Sequence, residues 1–167
     1  MKTCGDFASH KIRLKEFSMA HMNNPDYLVT RTIILNVKPD QVWEALTTPE
    51  LMKQYMFNYD VTSFWVKGGP ITWTGKRKGV DVTEKGSIIS FIKNEQFKFT
   101  MLDLGSGLED VADNYLHVTF DLQKKYDKTE VDITIENFNE DSRRCAHLAK
   151  GWDNTVLPGL RKMFNLS

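Results

Sequence analysis

Residues 141–164, DSRRCAHLAKGWDNTVLPGLRKMF, decide the fold of this chain. At the helical repeat of 3.6 residues per turn, the apolar side chains of this stretch fall within one narrow sector. The sector contains Cys145, Ala149, Trp152, Val156, Leu160 and Met163. Glu140 and Asp141 lie at the predicted start of the helix and Arg161 and Lys162 near its end, which matches the partial charges at the two ends of a helix. The stretch therefore predicts a long C-terminal helix with one buried face.

Pro158 interrupts the second half of this predicted helix. Proline has no backbone N–H and crowds the preceding turn, so the pattern predicts a kink across residues 154–158 or a restart with Pro158 in a new first turn. A loop that begins at residues 105–107, Gly-Ser-Gly, is predicted to lie above this kink. Two helix segments able to part beneath that loop would form an entrance.

The chain before this helix has mostly strand patterns. Residues 28–37 alternate in polarity and are rich in β-branched side chains, which is typical of a strand. Pro39 and Pro49 each suit the first turn of a short helix. From Tyr59 onward, strand patterns recur over residues 64–66, 71–76, 80–92, 97–101, 116–122 and 131–135. The order predicts an α+β fold with one strand, two short helices, about six further antiparallel strands and a long helix.

The sheet beneath the C-terminal helix is predicted to curve, because Gly75, Gly79 and Gly86 mark positions where strands can bend. A long helix cannot touch a strongly bent sheet along its whole length. The remaining space must hold large side chains, water or a ligand. The glycines therefore bear on function as well as on shape.

Three parts of the sequence carry a resemblance to a known family: RTIILNVKPDQVWEALTTPELMKQY at residues 31–55, WTG at residues 73–75 and GW at residues 151–152. Together they resemble the START-like (SRPBCC) superfamily, in the branch of homologues of the activator of the heat-shock chaperone ATPase. The resemblance extends over residues 28–164 and implies the helix-grip fold, a curved antiparallel sheet around a long C-terminal helix with an apolar tunnel between them. Members bind lipids, sterols, polyketides and other hydrophobic molecules, some are cyclases, and the eponymous co-chaperone binds a large ATPase.

The predicted domain organisation is an N-terminal extension, residues 1–27, followed by a START-like helix-grip domain, residues 28–167. The boundary follows the breaker cluster Asn23, Asn24 and Pro25. The apolar residues before that cluster keep neither the helical nor the strand period cleanly.

Composition limits the class of partner. The chain has 167 residues, with 22 Lys plus Arg and 22 Asp plus Glu, so there is no net charge to attract nucleic acid. The N-terminus lacks an apolar signal core, and no run approaches the roughly 20 apolar residues of a membrane helix. Cys4 and Cys145 are far apart and form no CxxC pair. We expect a cytoplasmic protein without a membrane span.

Nine side chains are predicted to line the tunnel and bind a ligand. They are Trp73, Phe91, Phe99, Met101, Val118, Phe120, Trp152, Val156 and Leu160. For any one of them, simple core packing is the more frequent role of such a residue. Trp152 is the foremost candidate because its large ring lies one turn before the predicted kink. Tyr55 and Tyr115 are expected at the surface, with a polar contact at the tunnel rim as the alternative.

The sequence predicts no catalytic constellation, metal site or cofactor. The four histidines, His10, His21, His117 and His147, lack metal-ligand spacing, and no GxSxG motif is present. Cys145 lies on the apolar stripe and is expected to be an inert core thiol. Asp103 is the one carboxylate to test as a buried acid. Arg31 either covers apolar surface with its stem or fixes an acidic ligand head.

Three functions compete at this point. The first is binding of a small hydrophobic ligand, such as a lipid, sterol or polyketide, between the sheet and the C-terminal helix. The second is a co-chaperone-like interaction with a heat-shock ATPase, which predicts an exposed apolar patch that includes Leu108 and Val111. The third is an enzyme of the cyclase or hydratase type, which needs a polar pair deep in the tunnel. The sequence leaves open a homodimer as well as a chaperone partner.

Overall fold

The computed structural model describes residues 27–165. Its seven strands are β1 (Leu28–Leu35), β2 (Asp60–Ser63), β3 (Pro70–Arg77), β4 (Val80–Ile92), β5 (Gln96–Asp103), β6 (Leu116–Lys125) and β7 (Lys128–Glu136). They form one antiparallel sheet in the order β1-β7-β6-β5-β4-β3-β2. The predicted N-terminal extension, apart from its last residue, lies outside the described residues.

The helices follow the predicted order. They are α1 (Pro39–Thr47), α2 (Pro49–Tyr55), a 3-10 turn (Ala112–Asn114), α3 (Arg143–Gly151) and α4 (Leu157–Asn165), with a π-helical turn (Trp152–Val156) between the last two. We call α3, the π-helical turn and α4 together the covering helix. The α+β helix-grip fold is therefore confirmed. No helix within residues 27–165 is long and apolar enough to cross a membrane.

The first strand and the two short helices form as their patterns predict. On β1, Ile33 and Leu35 face the core. Pro39 and Pro49 each begin a helix, where a missing N–H costs no hydrogen bond. Tyr55, at the end of α2, is 2% exposed, and its hydroxyl donates to the carbonyl oxygen of Ala45 at 2.7 Å. The expectation of a surface position for Tyr55 is therefore wrong.

The prediction of a strand at residues 64–66 is wrong. The strand ends at Ser63, and residues 64–66 form a loop instead. Trp65 has φ 54°, a left-handed conformation that cannot continue a strand. Its backbone N–H donates to Oγ of Ser63 at 3.0 Å, which stabilises the turn locally.

Gly86 allows the close approach of β4 and β5. A Cβ atom at this position would lie 1.6 Å from the backbone oxygen of Thr100, so no other residue fits without moving the strand. The register shift itself occurs slightly later, between Ile88 and Ser90. The predicted irregularity in β4 is thus present. Gly86 allows the close approach to β5, and the register shift occurs after it in the strand.

The predicted kink takes the form of the π-helical turn. Pro158 has no N–H to donate, and Leu157 N–H donates to the carbonyl oxygen of Trp152, five residues earlier. The widened turn rotates the following helix, so both Val156 and Leu157 are buried. The predicted apolar stripe is otherwise kept, with five members buried and Met163 half-buried.

The covering helix packs against α2 beside Pro158 and leaves no entrance there. A Cβ on Gly159 would lie 2.7 Å from Cβ of Tyr55, so α2 packs directly against this point. The loop that contains residues 105–107 is attached instead at the start of α3, where Arg144 donates to the carbonyl oxygen of Asn114 at 2.6 Å. The entrance predicted beneath that loop at the kink is therefore not formed in this structure.

Candidate functional site

A series of ring contacts crosses the interior from the sheet to the covering helix. The ring centroids are 5.0 Å apart for Trp73 and Phe99, 6.4 Å for Phe99 and Phe120, and 5.7 Å for Phe120 and Trp152. Trp73, Phe99 and Phe120 come from β3, β5 and β6, and Trp152 opens the π-helical turn. We call these four residues the aromatic chain.

Both ends of the aromatic chain have an unused hydrogen-bond donor. Trp73 is 1% exposed and Trp152 is 2% exposed, and neither indole Nε1–H has an acceptor among the described residues. A buried donor without a partner costs about 1–3 kcal/mol. Such groups are rare in folded proteins and call for an explanation, such as a water or ligand in solution.

The structure brings the other predicted ligand residues to the same interior. Met101, Val118, Val156 and Leu160 are buried in one apolar cluster with the aromatic chain, whereas Phe91 is half-buried at its edge. The sequence pattern thus placed all nine predicted side chains in or beside one core. Their role in binding a ligand stays a prediction.

The loop that follows β2 connects the buried rings with the protein surface. Trp65 in this loop is half-buried, and its ring centroid lies 6.4 Å from that of Phe91 and 6.2 Å from that of Phe97. Phe97 in turn lies 5.0 Å from Phe99 of the aromatic chain. The neighbouring Phe64 is 78% exposed. Trp65 therefore covers the end of a continuous series of rings.

A polar cluster lies on the inner face of the same sheet. Nη2 of Arg77 donates to Tyr59 Oη at 3.0 Å and to Glu84 Oε1 at 2.9 Å, and Nη1 donates to Asp103 Oδ2 at 3.1 Å. The Tyr59 ring covers Gly75 so closely that a Cβ there would lie 2.3 Å from it. Burial raises the pKa of Glu84, while the charge of Arg77 acts in the opposite direction. We call Tyr59, Arg77, Glu84 and Asp103 the polar cluster.

Sequence reasoning selected Asp103 as the acid to test and missed Glu84. The side chain of Asp103 is 29% exposed and that of Glu84 only 10%, so Glu84 is the more buried acid. A signal was present, because Glu84 shares the alternation of β4 with the buried Ile88. An acid in the inward register of a strand was the feature to notice.

An open groove of about 560 Å³ lies elsewhere, between β1 and the covering helix. Its walls include Arg31 and Asp153, which form a bidentate ion pair at 2.8 and 2.9 Å. None of the nine predicted ligand residues lines it. Because Asp153 occupies two donors of Arg31, the groove offers little to an acidic ligand head. We therefore place the candidate site in the interior.

Two further expectations concern reactive groups. Cys145 is fully buried, and desolvation raises the pKa of its thiol to about 11, which fits the expected inert thiol. In the described part of the chain, no group of three or more His, Cys, Asp or Glu side chains is placed to hold a metal ion.

The apolar patch predicted for a protein partner includes Leu108 and Val111. Val111 is exposed and Leu108 is half-buried.

Comparison with known proteins agrees with this architecture. A solution structure of the protein ChR145 from Cytophaga hutchinsonii shares 32% identity, with 81% of this chain and 92% of that chain covered and a TM-score of 0.68. The Aha1 dimer from Colwellia psychrerythraea shares 20% identity, covering 82% of this chain and 95% of that one, with a TM-score of 0.64.

A third solved structure is that of DynU16, a putative protein in the dynemicin biosynthetic locus. It shares 19% identity over 83% of this chain and 48% of that chain, with a TM-score of 0.67. At this identity, the likeness to DynU16 and to the Aha1 dimer shows the fold alone. A search of curated proteins finds no match.

The family assignment rests on the sequence profile as well as on the fold. The profile of the family described as "Activator of Hsp90 ATPase homolog 1-like protein" matches residues 36–165, which include every strand after β1 and the whole covering helix. This family lies within the START-like superfamily, whose fold is suited to ligand binding. The chain therefore belongs to the family of Activator of Hsp90 ATPase homolog 1-like proteins.

Proposed function

We propose that this protein binds a small, largely apolar molecule between the sheet and the covering helix. The observation that carries the proposal is the pair of buried, unpartnered indole donors of Trp73 and Trp152. The bound molecule has an apolar body that packs among the rings of the aromatic chain. It also has at least one oxygen that accepts a hydrogen bond from an indole N–H.

Ligand binding at this position gives the two donors a role that packing alone does not. An apolar side chain in place of either tryptophan would fill the core without an unpaired polar atom. A ligand acceptor removes that cost, and one neutral hydrogen bond contributes about 0.5–1.5 kcal/mol of net binding free energy. This corresponds to about a two- to twelve-fold change in Kd.

Entry requires side chains to move, because the aromatic chain is closed by its own ring contacts. Trp65 and Phe91 are half-buried rings that contact Phe97, which in turn contacts Phe99 of the aromatic chain. Trp65 belongs to a loop and Phe91 to the end of a strand. The left-handed backbone of Trp65 is sterically costly and is held by local packing. We therefore place the entrance at Trp65.

The test is a binding titration with 2-naphthol, a rigid apolar probe with one oxygen, followed by calorimetry and thermal unfolding. We expect saturable binding and a rise in Tm. The variants Trp73→Phe and Trp152→Phe keep an apolar ring and remove one donor each. In at least one of them the affinity should fall about five-fold, the value of one hydrogen bond.

Tyr55→Phe is the matched control, since it also removes a buried donor, but one that is bonded to Ala45 within the protein. It should lower stability by about 1 kcal/mol and leave the affinity unchanged. If 2-naphthol and its unsubstituted and alkylated analogues give neither binding heat nor a Tm shift, the proposal is wrong. Equal affinities in the wild type and in both tryptophan variants would also contradict it.

A further inference from the structure

Trp73 and Glu84 face each other directly across β3 and β4. The two residues are register partners, so both side chains lie on the inner face of the sheet, with their Cβ atoms about 5 Å apart. Both are nearly inaccessible to solvent. A residue with an indole donor and a residue with an acid are thus opposite each other on the inner face of the sheet.

Each of these two side chains has one unused polar atom. The indole N–H of Trp73 has no acceptor among residues 27–165, although Trp73 is 99% buried and buried donors in folded proteins are normally satisfied. Glu84 accepts from Arg77 through Oε1. Its other oxygen, Oε2, has no protein donor within residues 27–165, and because it is not one of the fully buried unpaired atoms, water can reach it. The pair therefore offers one free donor and one free acceptor.

The charge of the polar cluster limits what can occupy this position. Arg77 contributes one positive charge, which it shares between Glu84 and Asp103, so the three groups together carry a net charge of −1 when both acids are ionised. The fourth member, Tyr59, is neutral and uses its oxygen to accept from Arg77. An anionic group next to Glu84 would meet unfavourable electrostatics in a poorly solvated place.

We propose that the polar end of the ligand is a hydroxyl group, which accepts a hydrogen bond from Trp73 Nε1–H and donates one to Glu84 Oε2. This inference rests on the proposed function and names its ligand class: alcohols and phenols with an apolar body. Trp73 and Glu84 then form the recognition pair of the site, and Arg77 positions Glu84 through its hydrogen bond to Oε1.

Other polar groups satisfy the pair less well. A carboxylate has only acceptors, so it leaves Glu84 Oε2 unpaired and adds a second negative charge. A ketone likewise accepts from Trp73 but cannot donate to Glu84. A hydroxyl group both donates and accepts, and it is neutral at pH 7. The pair therefore selects hydroxyl compounds over acids of the same shape.

The experiment compares three probes of one shape, 2-naphthol, 2-naphthoate and 2-methylnaphthalene, on the intact chain at pH 7. Two-dimensional NMR of the indole N–H groups gives a readout for each of the four tryptophans. We expect 2-naphthol to move the Trp73 indole proton downfield and to bind at least about five-fold more tightly than either analogue, as one added hydrogen bond implies.

Two variants separate recognition from folding. Glu84→Met removes the acceptor with little change in volume and should reduce the preference for 2-naphthol over 2-methylnaphthalene to within about two-fold. Should Glu84→Met fail to fold, Glu84→Gln keeps the shape and one neutral acceptor, and an intermediate preference is expected. Asp81→Asn is the control, because Asp81 lies on the same strand but outside the polar cluster, with a side chain that is 87% exposed. It should keep the preference, since both recognition atoms stay in place.

The outcomes distinguish this inference from the proposed function. The hydroxyl assignment is wrong if all three probes bind with equal affinity or if 2-naphthoate binds more tightly. Neither result contradicts the proposed apolar binding site. An unchanged preference for 2-naphthol in a folded Glu84 variant has the same consequence. Absence of binding by every probe overturns the proposed function and this inference with it.

Discussion

Arg31 on β1 and Asp153 in the π-helical turn form a bidentate ion pair that joins the edge of the sheet to the covering helix. Nε of Arg31 lies 2.8 Å from Oδ1 of Asp153, and Nη2 lies 2.9 Å from Oδ2. Both side chains are partly exposed, at 41% and 39%. Asp153 directly follows Trp152 in the chain, so the pair links β1 to the turn that carries a residue of the proposed site.

A double-mutant cycle should measure this connection. We expect Arg31→Ala and Asp153→Ala to couple by about 0.5–1 kcal/mol in free energy of unfolding, since solvent screens a half-exposed pair but the bidentate geometry favours it. The measurement is denaturant unfolding of the wild type, both single variants and the double variant. Coupling should shrink in high salt.

The pair of Lys76 and Asp81 is the matched control, with a single 2.7 Å contact and side chains that are 67% and 87% exposed. Its coupling should be smaller than that of Arg31 and Asp153. The opposite ranking would show that the bidentate geometry has no energetic consequence.

Two glycines in the covering helix should respond to alanine with opposite signs. Gly159→Ala would place a Cβ 2.7 Å from Cβ of Tyr55, and we expect a loss of about 1–3 kcal/mol in stability from the forced shift of α2. Gly151→Ala would meet Phe57 at 3.4 Å, an ordinary contact, and should stabilise the helix by about 0.5–1 kcal/mol.

Thermal and denaturant unfolding of the two alanine variants check this prediction, each serving as the control for the other. Equal effects of the two substitutions would mean that the close packing of α2 against Gly159 is not maintained in solution.

Trp65 should limit how fast a ligand enters and leaves. Trp65→Ala removes the ring over Phe91 and Phe97, so we expect the association and dissociation rates of 2-naphthol both to rise by at least about three-fold, while Kd changes less. Stopped-flow fluorescence of the probe measures both rates. Phe64→Ala, at the neighbouring exposed position, is the control and should leave them unaltered. Rates that are the same in all three proteins would place the entrance elsewhere.

His117 should make the protein less stable as the pH falls. Burial, together with the charge of Lys98, lowers the pKa of His117 below its ordinary value of 6.5, and its ring packs 4.6 Å from that of Phe138. The unfolded chain therefore takes up the proton first, and the stability contributed by the neutral ring is lost as pH falls from about 6.5 towards the folded-state pKa.

The measurement for His117 is the free energy of unfolding between about pH 7 and pH 5.5 for the wild type and for His117→Gln. We expect a shallower dependence in the variant because glutamine does not titrate. A dependence that is equally steep in both proteins would assign the effect to other groups.

The apolar periodicity of residues 141–164 was sufficient to predict the covering helix and its buried stripe. Periodicity reports which side chains share a face, and that property survives in the structure for Cys145 through Leu160. The proline signal likewise predicted a disturbance near Pro158. It did not specify a π-helical turn, because the choice between a kink, a restart and a widened turn depends on packing against α2 and the sheet.

Local patterns failed where a contact between distant residues decides the conformation. Residues 64–66 have strand-forming side chains, yet Trp65 adopts a left-handed backbone as its ring packs against Phe91 and Phe97. Glu84 is a partial case, because the alternation of β4 indicates its inward position. Its pairing with Arg77 of β3 is not indicated locally, since no spacing within one strand shows that side chains of two strands meet.

The sequence alone determined the order of the elements and most of the faces that they bury, because these follow from local periodicity, breakers and residue type. The family resemblance came from the motifs at residues 31–55, 73–75 and 151–152. Tertiary structure alone decided that two indole donors remain unpaired, that Glu84 lies opposite Trp73, and that Trp65 closes the interior. Hydrogen-bond satisfaction and ring packing depend on distances between strands and helix that are set only when the sheet curves beneath it.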